Sequence, residues 1–140
     1  MKKEKFFATQ KKDISRAAVD FFSIGHVGMG QLFFWISYLL FTWTGGPQIL
    51  NIGQERWLVL ISFIIGVLWE PFENIIMYKL GYKFEGKLDS WLNAIFDIIF
   101  WTLGAFLASI IGIPWLNVIL VIVEFFAWFF IRRHFLNLPV

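Results

Sequence analysis

The sequence predicts an all-α, four-span transmembrane helix bundle, and three observations carry that expectation. Of 140 residues, 59% are hydrophobic and 21% aromatic, with eight Trp and eighteen Phe, more than a soluble domain of this length has interior to hide. Four stretches, Phe21 to Trp43, Trp57 to Leu80, Leu88 to Ile111 and Pro114 to Ile131, are each long enough for a bilayer, which takes roughly 17 to 25 residues at about 1.5 Å per residue. Basic residues gather on one side of that arrangement. Lys2, Lys3, Lys5, Lys11, Lys12 and Arg16 precede the first span, Lys79, Lys83 and Lys87 lie between the second and third, and Arg132 and Arg133 follow the fourth. The first connection offers only Arg56. This asymmetry places both termini in the cytoplasm and makes the chain a multi-pass protein of the inner (cytoplasmic) membrane.

Taken in order, residues 1–20 form a basic cytoplasmic or interfacial segment. Within and just after it, Asp13 to Phe22 is read either as a short interfacial helix capped by Asp13 or as a plain juxtamembrane extension of the first span. The apolar run that follows continues past signal-peptide length and lacks a small-residue cleavage site, so it is read as a retained first span. Thr44-Gly45-Gly46-Pro47 ends that span as a turn, and Gln48 to Glu55 is too short for a domain. Pro71 falls inside the second span. It removes one amide donor and crowds the carbonyl of Val67, so a kink or local opening is expected beside Glu70 and Glu73. Gly112-Ile113-Pro114 makes the last connection tight, which is expected to set the third and fourth spans antiparallel and adjacent. Residues 21–131 are thus the transmembrane domain and 132–140 a cytoplasmic tail.

Several classes are excluded at this stage. The chain has no cysteine, so neither disulfides nor thiolate chemistry contribute. The formal charge of +2 is accounted for by residues that flank spans, and no nucleic-acid partner is implied. Gly25, Gly28 and Gly30 follow no strand and are read as places of close helix contact rather than a phosphate loop. Most Phe and Trp are expected to face lipid or anchor the interfaces.

The chemistry-bearing residues stand inside the spans, where an ionisable side chain is expensive and marks a functional site. At about 100° per residue, Gly66, Glu70, Glu73, Asn74 and Met77 share one side of the second helix. Asp89, Asn93 and Asp97 recur every four residues and form a stripe on the third, continued by Trp101 and Gly104. His26 lies shortly after the start of the first span and Glu124 about 10 Å from the end of the fourth. All four helices therefore offer a polar group at similar depth, and the simplest packing turns them inward around a chamber open to the cytoplasmic side.

Five carboxylates cannot all stay ionised in a confined apolar volume without compensation. The spans hold almost no Lys or Arg, which favours divalent metal ions or shared protons. Oxygen ligands with one histidine suit Mg, Mn or Ca, or a carboxylate-bridged metal pair. Plainer roles stand beside these: Asp89 as the cap of the third helix, His26 as a packed imidazole, Glu124 facing a partner subunit, and the remaining acids and Asn74 and Asn93 as hydrogen-bond partners between helices.

Trp69-Glu70-Pro71-Phe72-Glu73-Asn74 and Asp89-Ser90-Trp91-Leu92-Asn93-Ala94-Ile95-Phe96-Asp97, with Gly104 and the glycine-flanked His26, resemble the W-E-x-x-E-N and D-S-x-x-N-x-x-x-D motifs of small prokaryotic polytopic membrane proteins of the YjdF-like and VanZ-like collection. The resemblance runs from Gly25 to Gly104, leaves Glu124 outside, and implies a functional site without naming a reaction.

The leading expectation is a metal-dependent hydrolase or transferase acting on a lipid or polyprenyl phosphate head group. Glu70, Glu73 and Asp97 are the principal metal ligands, with Asp89 and Glu124 as further candidates. His26 is the acid/base, and Asn74 and Asn93 orient water or substrate. Lys79, Lys83 and Lys87 would draw a phosphorylated substrate to the chamber mouth. The alternatives are a cation or proton channel or transporter using the same acids, formed by a homo-oligomer, and a structural or accessory membrane protein.

Overall fold

The computed structural model describes residues 5–8, 11–45, 52–83 and 86–135. The Gly46-Pro47 half of the first turn, residues 48–51, the side chains of Arg132 and Arg133, and the tail beyond Phe135 lie outside the described residues. The chain folds as an all-α bundle, with four long helices among the described residues: α1 (Phe22–Trp43), α2 (Ile52–Pro71), α3 (Trp91–Ile111) and α4 (Pro114–Phe135). Three apolar segments, Phe22–Trp43, Glu55–Met77 and Trp91–Ile111, are long enough to cross a membrane.

Pro71 ends the regular part of α2, and a π-helical turn over Phe72–Met77 continues it. The cause is local. Proline has no amide to give the carbonyl one turn back, and a widened turn re-pairs the backbone further along. The expected opening beside Glu70 and Glu73 therefore takes the form of a π turn. At the other end of the chain Gly112, with φ of 60°, closes α3 in the left-handed conformation, and Pro114 starts α4 where a missing amide costs nothing.

α3 packs against α1 and α2, and α1 packs against all three other helices. The α1–α3 approach is set by glycine: a Cβ on Gly30 would fall 1.8 Å from the Trp101 carbonyl oxygen, and one on Gly104 1.9 Å from that of Val27. α4, in contrast, leans chiefly on α1 and barely touches α3, despite the short turn between them. Chain connectivity fixes only that two ends are near; α3 already spends its small-residue face on α1. Phe34, Leu58, Ala105 and Ala108 close the core at the end of the bundle remote from His26, Glu70 and Asp97. Trp43, Trp57, Trp91 and Trp115 stand exposed at helix ends, as interfacial anchors do, whereas Trp101 is fully buried.

The Asp13-capped interfacial helix does not form. One 3-10 turn over Lys11–Asp13 is followed by irregular backbone, with Ser15 at φ 64°. This strap pairs with the preceding residues through Val19 and Ala18 and buries Ile14, Ala17 and Ala18 completely or nearly so. It is folded into the bundle rather than laid along a surface. Asp20 explains the conformation: its carboxylate accepts the amides of Ser15 at 2.9 Å and of Phe22 at 2.8 Å, tying the strap to the start of α1.

Candidate functional site

The start of α1, the end of α2 and the start of α3 meet at one end of the bundle, as antiparallel neighbours must. They bring His26, Glu70, Glu73, Asn93 and Asp97 together, and Glu70, Asn93 and Asp97 are 6%, 1% and 3% exposed. His26 Nε2 lies 3.6 Å from Asp97 Oδ2, and Ser23 donates to the other Asp97 oxygen at 3.5 Å. The π turn sets the α2 side. It lets the Asn74 side-chain amide donate to the Glu70 carbonyl at 3.1 Å and reach the Glu70 carboxylate at 3.4 Å, while Trp69 donates to Glu73 at 3.0 Å.

Asp89 is not the cap of α3. Ser90 takes that role by accepting the Asn93 amide, and Asp89 instead gives its own amide to Asn74 Oδ1 at 3.0 Å. Asn74 thus holds both Glu70 and the backbone that carries Asp89. This is a positioning role, and it arises because the widened turn frees a carbonyl that the side-chain amide can take.

Lys83 corrects the expectation that no cation pairs with the acids. After the π turn the chain reverses through Gly81, at φ 77°, and sends Lys83 back into the cluster, where it contacts Glu73 at 3.0 Å and also binds Asp89. Its side chain is only 2% exposed. Burial opposes its charge, but Asp89 and Glu73 outweigh that cost and hold the ammonium above its ordinary value. A raised lysine contributes its stabilisation fully below the unfolded value, and the contribution is lost only as pH rises through the folded one. Lys83 is therefore charged throughout the physiological range. Lys79, by comparison, is exposed, so the three lysines of this connection do not form one mouth.

Together with Ser15 of the strap, His26, Glu73, Lys83, Asp89, Asn93 and Asp97 line a cavity of about 300 Å³; Glu70 is buried and is not part of its lining. Ser15 accepts the Ser90 amide at 2.7 Å, and Ser90 Oγ donates to the Arg16 carbonyl at 3.1 Å, so the strap forms one wall. Beneath it Asp20 is nearly buried, and burial raises its carboxyl above the usual range against the pull of the Ser15 and Phe22 amides.

Two groups have the donor set and spacing to hold a cation. His26, Glu70 and Glu73 offer ligand atoms within 4.8 Å of one another, as do Glu70, Asp89 and Asp97. Glu70 belongs to both. Two carboxylates at about 5 Å repel by about 3 to 4 kcal/mol at an effective dielectric of 20. Lys83 offsets Glu73 and Asp89, which leaves Glu70 and Asp97 with no lysine or arginine among the described residues. Two further atoms fit a ligand rather than a closed core: Asn93 Nδ2 and His26 Nδ1 are buried without a hydrogen-bond partner. Buried His and carboxylate groups of this arrangement have the chemistry to coordinate a divalent metal.

Glu124 stands apart from both groups. Its Oε1 accepts from Gln31 of α1 at 2.7 Å, and its Oε2 is buried without a partner. It lines a second cavity, of about 380 Å³, between α1, the end of α2 and α4, to which His26 and Glu73 also contribute. Gln31 was passed over by sequence reasoning, because it carries no charge to attract notice. Lys83 was expected at the chamber mouth, drawing substrate, rather than paired with Glu73 and Asp89.

A family model described as "Protein of unknown function (DUF2585)" matches residues 4–140. The chain belongs to this family. No curated protein and no solved structure matches it. The family match takes in Glu124 and the strap, beyond the stretch of motif resemblance.

Proposed function

We propose that the protein is a membrane-embedded, divalent-metal-dependent hydrolase or transferase that acts on the phosphate head group of a lipid or polyprenyl chain from the cytoplasmic side. The observation that carries this reading is Glu70, buried and shared by two ligand groups, together with unpartnered nitrogens on Asn93 and His26 in the chamber that Glu73, Asp89 and Asp97 line. Mg or Mn held there would polarise a phosphoryl oxygen and activate water.

The protein's own residues divide the remaining work. Glu70, Glu73 and Asp97 hold the ion, with Asp89 completing the second group. His26 is the acid/base, poised by Asp97, and Asn93 directs an amide donor at a phosphoryl oxygen. Asn74 keeps Glu70 and Asp89 in place, and Lys83 offsets part of the negative charge of Glu73 and Asp89. The motif resemblance to YjdF-like and VanZ-like proteins is in keeping with this assignment, as is a cytoplasmic placement of both termini in the inner membrane.

Against a cation or proton path within one chain stands the packed apolar core of Phe34, Leu58, Ala105 and Ala108, which leaves the acids confined to one end. The test is Mn²⁺ binding to the detergent-solubilised chain, read by electron paramagnetic resonance, followed by phosphate release from lipid phosphates. Glu70→Gln is expected to weaken Mn²⁺ binding by about 10- to 100-fold, the range typical of metal-site lesions. Unchanged binding, or none in the native chain, overturns the metal assignment.

A further inference from the structure

Gly25 was expected to allow close helix packing, and it does not: a Cβ built there meets nothing within 4 Å. A glycine inside a helix costs stability, so one that packs against no neighbouring helix asks for another reason. Gly25 borders the 380 Å³ cavity, as does Gly28, where an added Cβ would sit 3.2 Å from Glu124 Oε2. The α1 backbone is thus bare along this groove, while Leu32, Val121 and Phe125 supply apolar walls.

The groove adjoins the chamber. Phe22, His26, Glu73, Met77 and Trp128 line both, so only these side chains stand between the polar groups Asn93 and Lys83 and the apolar face between α1 and α4. His26 stands at the junction, more than nine-tenths buried and with Nδ1 unpartnered. One compartment is polar and the adjoining one apolar, which is the division of an amphiphile.

We infer that the groove between α1, the end of α2 and α4 binds the hydrocarbon chain of a membrane lipid whose phosphorylated head group occupies the chamber, with the lipid reaching the site sideways from the bilayer. The inference rests on the head-group reading of the chamber. It adds to that reading the place where the substrate's apolar chain lies.

The test uses the full chain in phosphatidylcholine nanodiscs and a hexadecyl phosphate bearing a diazirine in its chain. Photolabelling is expected to map to Gly25–Leu32 and Val121–Trp128. Gly25→Leu and Leu32→Trp, which fill the groove from two positions, are expected to lower labelling by about tenfold, the equivalent of roughly two buried methylenes. Leu103→Trp, on the exposed side of α3 and outside the groove, is expected to leave it unchanged. Labelling spread over all exposed helix faces, or undiminished in both groove variants, overturns the inference. Groove labelling in a native chain that binds no Mn²⁺ upholds the lipid site and sinks only the metal assignment; Mn²⁺ binding with diffuse labelling does the reverse.

Discussion

Along its α3 side, α1 is welded: Gly30 lies against the Trp101 carbonyl, Gly104 against that of Val27, and Trp101 Nε1 donates to Ser62 Oγ at 3.1 Å, which in turn donates to the Gly30 carbonyl at 3.3 Å. Along its α4 side the same helix faces open space at Gly25, and the polar link that does form, Gln31 to Glu124, leaves an oxygen on each residue without a partner. At one seam Trp101 and Ser62 find partners among the three helices it joins, and at the other Gln31 and Glu124 keep unpaired oxygens beside a cavity. The difference separates a joint that holds the bundle from one that receives something, and residue type alone does not distinguish them.

The comparison can be broken most forcefully at Gly30. Gly30→Leu must push backbone apart, since even a Cβ collides with a carbonyl, and is expected to cost about 3 kcal/mol or more by detergent-resistant unfolding. A variant that melts with the native protein would mean that the α1–α3 contact is not the tight joint. Next in size, Ser62→Ala strands the buried Trp101 N–H and should cost about 2 kcal/mol in the same measurement. A neutral result there would show the Trp101 contact to be incidental. Smallest, and opposite in sign, Gly25→Ala should raise stability by about 0.5 to 1 kcal/mol, because it removes a helix-interior glycine where there is room for a methyl. If Gly25→Ala destabilises instead, the α1–α4 side is packed after all.

The bundle, its apolar spans and the irregularity at Pro71 were legible because they depend on length, composition and one missing amide. Glu70, Glu73, Asn93 and Asp97 were legible for a related reason: polar residues in apolar helices stand out, and helical period tells which of them share a face. What periodicity does not describe is where a connection folds. Lys83 enters the site by a chain reversal through Gly81, and Ser15 by a strap whose shape is dictated by Asp20, so neither follows from a helical wheel. The same limit applies to capping at α3, where Asp89 and Ser90 are adjacent and equally suited. Asp89 was taken by Lys83 and Asn74, and Ser90 was left to cap. Partner choice among helices was likewise hidden, since the short turn before Pro114 says nothing about which neighbour has a vacant face.

The strap also dictates when the chamber can first exist. Arg16 and Ser90, which meet at its wall, are 74 residues apart in the chain. At ribosomal speeds of roughly 5 to 20 residues per second, the strap waits about 4 to 15 s for its counterpart to be synthesised. Glu70 and Glu73 are made late in that interval, and Asp97 only after it. Assembly of this end of the bundle is therefore a late event in biogenesis, reached only after the start of the third helix has been made.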